Sequence, residues 1–238
     1  MNELATVAGY PDSQFPTAPF DSASDYLRSI ANEHLTNLWT QRNLADDLEI
    51  ARFAQLISKY YSDDSGPFIP FCDDMRPSNM LIDPETLQIT VVLDFEFTNA
   101  MPAEFTYDPP WWQLLSGPEM WLDRCLMDEF VTLYEPRMEQ FLRALERVEN
   151  EFELECKQPG LSLSTRMRDL WRTGRFWFDY AARKSFDVDT IYWAALHDGA
   201  GVELLDDKTR AEMGSFTQIK MDQLKAYEEC TVRFSSEM

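Results

Sequence analysis

Apolar positions recur at intervals of three and four from Tyr26 onward. Tyr26, Leu27, Ile30, Ala31, Leu35 and Leu38 fall on one face together with His34, and the spacing predicts a helix with Ser22 or Ser24 as its N-cap. Before it, Pro11, Pro16 and Pro19 break any period, so residues 1–24 read as a loop. A second amphipathic segment runs from about Asp46 to Tyr61 on Leu48, Ala51, Phe53, Ala54, Leu56, Ile57 and Tyr60, and Ser62 to Pro67 ends it. The texture then changes. Pro67 to Phe71 is short, apolar and aromatic; Met80–Ile82 and Ile89–Leu93 read as two strands, with a turn over Asp83–Gln88. After about Ser116 the pattern is helical, with Ser116 and Glu119 as a capping box. Met138, Phe141, Leu142, Leu145, Val148 and Phe152 form a long stripe, and Pro136 marks a break or a new first turn. Further helices fit Thr165–Ser185, Asp189–His197 and Lys208–Cys230, with a loop over 153–162. Neither a repeat nor a second domain boundary is visible. The expected fold is α+β and mostly helical, one domain over 1–238: a loop to 24, helices over 25–65, a loop and hairpin over 66–97, and a helical region over 98–238.

Charge narrows the function classes. Among 238 residues, 21 Lys and Arg face 42 Asp and Glu, a net charge of −21. Such an excess repels phosphate backbones and anionic bilayers, which excludes a general nucleic-acid binder and a membrane-surface protein. No apolar run approaches the roughly 20 residues of a membrane span, and the first residues carry neither a basic nor an apolar secretory segment. Cys72, Cys125, Cys156 and Cys230 form no C-x-x-C pair and read as reduced thiols, so a cytoplasmic location is expected. Two histidines, His34 and His197, argue against a His-rich zinc site.

The stretch that carries chemistry runs from Phe71 to Asp83, followed by Val91-Val92-Leu93-Asp94-Phe95-Glu96. Asp74 and Asn79 lie five apart on a loop that enters a strand, and Asp94 ends the next strand. The hairpin would bring Asn79 and Asp94 together. A carboxylate and an amide oxygen with open positions suit Mg²⁺, which prefers a few oxygens, waters and nucleotide phosphates. A second carboxylate held off the metal can accept a proton from a hydroxyl.

This arrangement resembles the catalytic region of protein-kinase-like phosphotransferases, and more closely that of the aminoglycoside phosphotransferase family, in its fungal branch. That family's loop reads H-G-D-x-H-x-x-N before a strand ending I-D-W-E; here the stretches are Cys72-Asp73-Asp74-Met75-Arg76-Pro77-Ser78-Asn79 and Leu93-Asp94-Phe95-Glu96. The resemblance implies Asp74 as catalytic base, Asn79 and Asp94 as magnesium ligands, ATP as phosphoryl donor and a small hydroxyl-bearing acceptor, which the acidic surface would favour as a cation. Arg76 and Glu96 would support the site, and Asp108 would brace the loop from a helix start. Cys72, Asp73 and Arg76 replace the family's His, Gly and second His. Asp73 adds a like charge beside Asp74. Arg76 could offset it through a carboxylate or through a phosphate.

The resemblance covers residues 20 to 230 and corresponds to the C-terminal lobe. The N-terminal lobe, with its phosphate-binding Lys and Gly-rich loop, is not visible: only Lys59, Gly9 and Gly66 precede the site. Impaired phosphoryl transfer is the first expectation. The alternative is an inactive lobe acting as a binding module, with a protein partner or a second copy over the apolar surface that an N-lobe would cover, bordered by the first loop and residues 67–71.

Other clusters have blander expectations. The basic stretch 166–184 should pair with the acidic helix before it, through residues such as Glu146, Glu149, Glu151, Glu153 and Glu155. The aromatics at 111–112, 121, 171, 176–178 and 192–193 should pack a core rather than hold a cation. Glu104, Asp108, Asp179, Asp187 and Asp189 are candidates for an acidic acceptor pocket.

Overall fold

Four short strands carry the centre of the chain. β1 (Phe68–Cys72) pairs antiparallel with β4 (Thr98–Pro102), from Phe68 opposite Pro102 to Cys72 opposite Thr98. Between them, β2 (Met80–Ile82) and β3 (Ile89–Val92) form a second antiparallel pair with an irregularity between Leu81 and Ile82. The expected turn is present. Asp83 Oδ1 accepts hydrogen bonds from the main-chain N–H of Glu85 (2.8 Å) and Thr86 (3.0 Å), and these donors hold its carboxyl below the usual range.

The computed structural model describes residues 11–40, 56–61, 66–156, 162–184 and 186–197, together with 214–215, 217–219, 221–223 and 225–226. It is an α+β structure with two small two-stranded sheets. Contacts gather into two compact units, one built on Ser65–Arg183 and the other on Asn2–Asp64 with Lys184–Met238. No helix among the described residues is long and apolar enough to cross a membrane.

In the first unit, α3 (Met127–Cys156), which follows the single turn α2 (Glu119–Leu122), places Phe130, Tyr134, Met138 and Leu142 at intervals of four, and all are buried. α4 (Leu163–Thr173) begins at Ser162, whose Oγ accepts from the Thr165 N–H, and ends at Gly174 with φ 75°. α5 (Arg175–Arg183) follows at once and is buried from Phe176 to Ala182. Rings join these helices: Phe130 stacks on Tyr134 at 5.0 Å, Tyr134 meets Trp171 at 4.8 Å, and Trp171 meets Phe176 at 5.3 Å. The aromatic cluster is therefore core, as expected for its members in this unit. The basic stretch pairs in part as expected. Arg168 bridges Glu139 (3.1 Å) and Glu146 (3.2 Å), while Glu149 caps α4 by accepting from the Ser164 N–H and Oγ.

In the second unit, α1 (Ala23–Thr40) is capped by Ser22, whose Oγ accepts from the Asp25 N–H at 3.1 Å. Its buried face holds Leu27, Ile30, Ala31 and His34. Residues 56–60 are helical, with Leu56 and Ile57 buried, and Tyr61 follows as a buried residue outside the helix; positions 46–55 of the second predicted helix lie outside the described residues. α6 (Val188–Ile191) opens the predicted 189–197 helix, which continues as one wide turn over Tyr192–Leu196. Most of the predicted 208–230 helix lies outside the described residues, and those described between 214 and 226 are helical.

Burial holds the His34 imidazole neutral, lowering it from 6.5 to about 4. A depressed basic group contributes stability above its unfolded value and loses it as pH falls toward the folded one. Between pH 6.5 and 4 the second unit should thus lose up to about 3 kcal/mol, and His34→Leu should remove that slope. Thermal unfolding across this range, with both proteins, checks it.

Several expectations are corrected. The 98–238 region is not all helical, because it opens with β4 and with 3₁₀ turns at Ala103–Tyr107 and Trp111–Leu114. Ser116 is not a cap: its Oγ accepts from Trp121 Nε1 at 3.0 Å, and Glu119 takes the Tyr180 hydroxyl. Pro136 neither breaks α3 nor starts it; Thr132 and Pro136 are exposed, so water can reach the carbonyl that a proline cannot serve. α3 runs to Cys156 through part of the predicted 153–162 loop. The predicted 165–185 helix is two helices divided at Gly174.

Candidate functional site

β1 delivers the chain to Cys72, and a tight descent follows. The Met75 N–H donates to the Cys72 carbonyl at 3.4 Å, and the Asn79 N–H to that of Arg76 at 2.9 Å. Pro77 opens a single 3₁₀ turn, Pro77–Asn79, where its missing N–H costs nothing. The turn buries Asn79 under the loop that precedes it.

The Asn79 amide is fixed by what it donates to. Its Nδ2 reaches the Asp74 carbonyl at 2.9 Å and Asp74 Oδ2 at 3.1 Å. With the donor end used, Oδ1 is the acceptor left, and the Ser78 hydroxyl approaches it at 3.4 Å. The other Asp74 oxygen, Oδ1, lies 3.1 Å from Arg76 Nε. Arg76 thus pairs with the candidate base, and its side chain is about half exposed at 47%.

The hairpin returns the chain to the same place. The Leu93 N–H donates to the Asn79 carbonyl at 2.8 Å, next to Asp94. Asp94 takes the left-handed conformation, φ 63°, which an aspartate tolerates better than most residues. The Cys72 thiol faces its carbonyl at 3.9 Å. Asp94 is exposed, as is Glu96, which sits in the turn that feeds β4. The oxygens that could serve a hard cation are Oδ1 of the buried Asn79 and the exposed Asp94 carboxylate, and both are donor types that Mg²⁺ takes. Among the described residues, no group of three or more His, Cys, Asp or Glu is gathered for a metal.

Behind the loop lies a charged cluster. Arg183, at the end of α5, places Nε 3.3 Å from Asp73 Oδ1 and a terminal nitrogen 2.9 Å from Asp108 Oδ2. Its side chain is 3% exposed, and its guanidinium lies 5.2 Å from the centre of Phe71 and 5.3 Å from that of Phe105. About two helical turns earlier Arg175 pairs with the fully buried Asp179 at 3.3 Å. Burial raises the Asp108 carboxyl well above the usual range, Arg183 opposes this, and Asp179 adds to it. Burial works against the charge on Arg183, but Asp108, Asp73 and Asp179 outweigh it and raise the group further.

Asp108 is buried as expected but is not at a helix start. It follows the 3₁₀ turn Ala103–Tyr107, and it reaches the loop through Arg183. Asp108 and Asp179 are consequently not available to an acceptor pocket. Asp74, Arg76 and Asn79 are brought together directly, and Asp94 joins them through the Asn79–Leu93 hydrogen bond. Sequence reasoning missed two residues. Trp111 donates from Nε1 to the Asp73 carbonyl at 3.3 Å, and Arg183 was counted only as part of a basic stretch. The available signal for Arg183 was Asp73 itself, a second carboxylate that needed a cation.

Apolar side chains flank the site in the open. Leu81, Ile82, Leu87, Ile89, Val91, Leu93 and Phe95 are all at least 42% exposed, so the hairpin presents an apolar surface; in the 67–71 segment Pro67 and Pro70 are exposed and Phe68, Ile69 and Phe71 half-buried. Compared with known proteins, the chain matches no family model, no curated protein and no solved structure.

Proposed function

We propose that the unit around Asp74 is a kinase-like C-terminal lobe that transfers the γ-phosphoryl of ATP, with Mg²⁺, to a hydroxyl of a small molecule. The observation that carries the reading is the orientation of Asn79. Its amide is turned by Asp74 so that its oxygen faces away from Asp74 with the Ser78 hydroxyl 3.4 Å off, and its main chain is tied to the residue before Asp94. Bound Mg²⁺ would draw charge from the phosphate oxygens. Asp74 aligns the acceptor hydroxyl and takes its proton, on a carboxylate already held by two donors. Arg76 places positive charge beside that carboxylate and within reach of solvent, where an incoming phosphate would meet it. The exposed apolar hairpin offers a floor for a planar base.

Calorimetric titration with ATP, with and without Mg²⁺, tests this. Binding should require Mg²⁺ and should vanish in Asp94→Ala, which removes the exposed carboxylate without touching the core. The same hairpin favours a second reading, a binding module that no longer handles nucleotide, because seven large apolar side chains stand open to solvent on it. Absence of binding at millimolar ATP would support that reading and overturn the first.

A further inference from the structure

We infer that Arg183 is a positioning residue for the candidate catalytic loop: it holds Asp73 in place, and Asp73 in turn fixes where Asp74 points. The inference rests on the phosphotransferase reading for its consequence, though not for its geometry. Residue 73 is gripped twice from outside the loop. Its side chain meets Arg183, and its carbonyl accepts from Trp111. The next residue is Asp74, so little freedom remains in the peptide that carries the base.

The grip is strong because water is absent on the far side. One guanidinium, 3% exposed, serves both carboxylates and lies against Phe71 of β1, Phe105 of the following turn and Tyr180 of α5. Separate segments of the unit thus converge on a single cation. Removing that cation would leave two carboxylates without their partner, and unpaired buried charge is not tolerated. They differ in what they can do about it. Asp108, 5% exposed, has no route to solvent, whereas Asp73, 26% exposed, can reach water by a shift of the loop. The loop is therefore the part that yields. A lysine at 183 would keep the charge but could not span both carboxylates in the same fork, so it should restore the loop only in part.

The test is amide exchange on the full chain, together with the indole N–H resonance of Trp111, for Arg183→Met, Arg183→Lys and Asp73→Asn. Asp73→Asn keeps the Arg183–Asp108 pair and weakens only the pull on the loop, so it guards against an unfolded Arg183→Met. In Asp73→Asn and Arg183→Met, the amides of the loop 73–79 other than Pro77 should exchange about tenfold faster, a scale between that of an exposed and a buried ion pair. The Trp111 resonance should move toward its solvent position, amides of α3 should keep their protection in Asp73→Asn, and Arg183→Lys should fall between. Wild-type loop exchange and an unmoved Trp111 resonance in Asp73→Asn would overturn the inference. So would equal loss of protection across α3 and the loop in that variant. These readouts need no nucleotide. If the chain binds no Mg²⁺·ATP the proposed function fails, while the exchange data still decide the role of Arg183.

Discussion

Asp74→Asn should lower the rate of phosphoryl transfer by about 10²–10⁴, the usual contribution of a positioned general base. The geometry sharpens this expectation. Asp74 accepts from Asn79 on one oxygen and faces Arg76 with the other. An asparagine has one acceptor oxygen, so its amide N–H₂ would oppose one of these donors. The proton acceptor and part of the loop's hydrogen bonding would be lost together. Mg²⁺·ATP titration separates the two effects: binding should survive, because Asn79 and Asp94 remain, while turnover falls. Unchanged turnover would remove Asp74 from the mechanism.

The largest effect on stability is expected away from the site. Phe130 is 0% exposed and touches the rings of Trp121, Tyr134 and Trp177. Phe130→Ala should cost about 3–5 kcal/mol, the range for deleting a buried ring among neighbours that cannot close over the gap. That corresponds to a fall in Tm of about 10–20 °C for a unit of this size. Differential scanning calorimetry reads it directly. A change near zero would mean that α3 and α5 repack over the lost ring, against the close ring contacts that join them.

What the sequence disclosed follows from how local each signal is. The β2–β3 hairpin was legible because Asp83 caps its own turn between a short apolar run and a run of β-branched residues. The relation of Asp74, Asn79 and Asp94 was legible for the same reason, since a short hairpin leaves few ways to place its ends. β4 was not, because Thr-Asn-Ala-Met-Pro has no alternation and becomes a strand only by pairing with distant β1. The division at Gly174 was missed because apolar periodicity continues on both sides of a residue whose left-handed conformation ends α4. The partners of the basic stretch were only half legible. Arg168 meets the acidic helix at helical spacing, but Arg183 meets Asp73 and Asp108, which no periodic pattern connects to it.

The Arg183 cluster also sets an order of events during synthesis. A ribosome releases Asp73 first, then Asp108, and only much later the arginine that neutralises them. Until then both carboxylates belong in water, and the strands and turns beside them can form only loosely. A nascent chain ending short of residue 183 would hold every proposed chemical group of the site and still lack the means to close it. Closure of the loop is thus a late step, timed by the emergence of α5 rather than by the residues that do the chemistry.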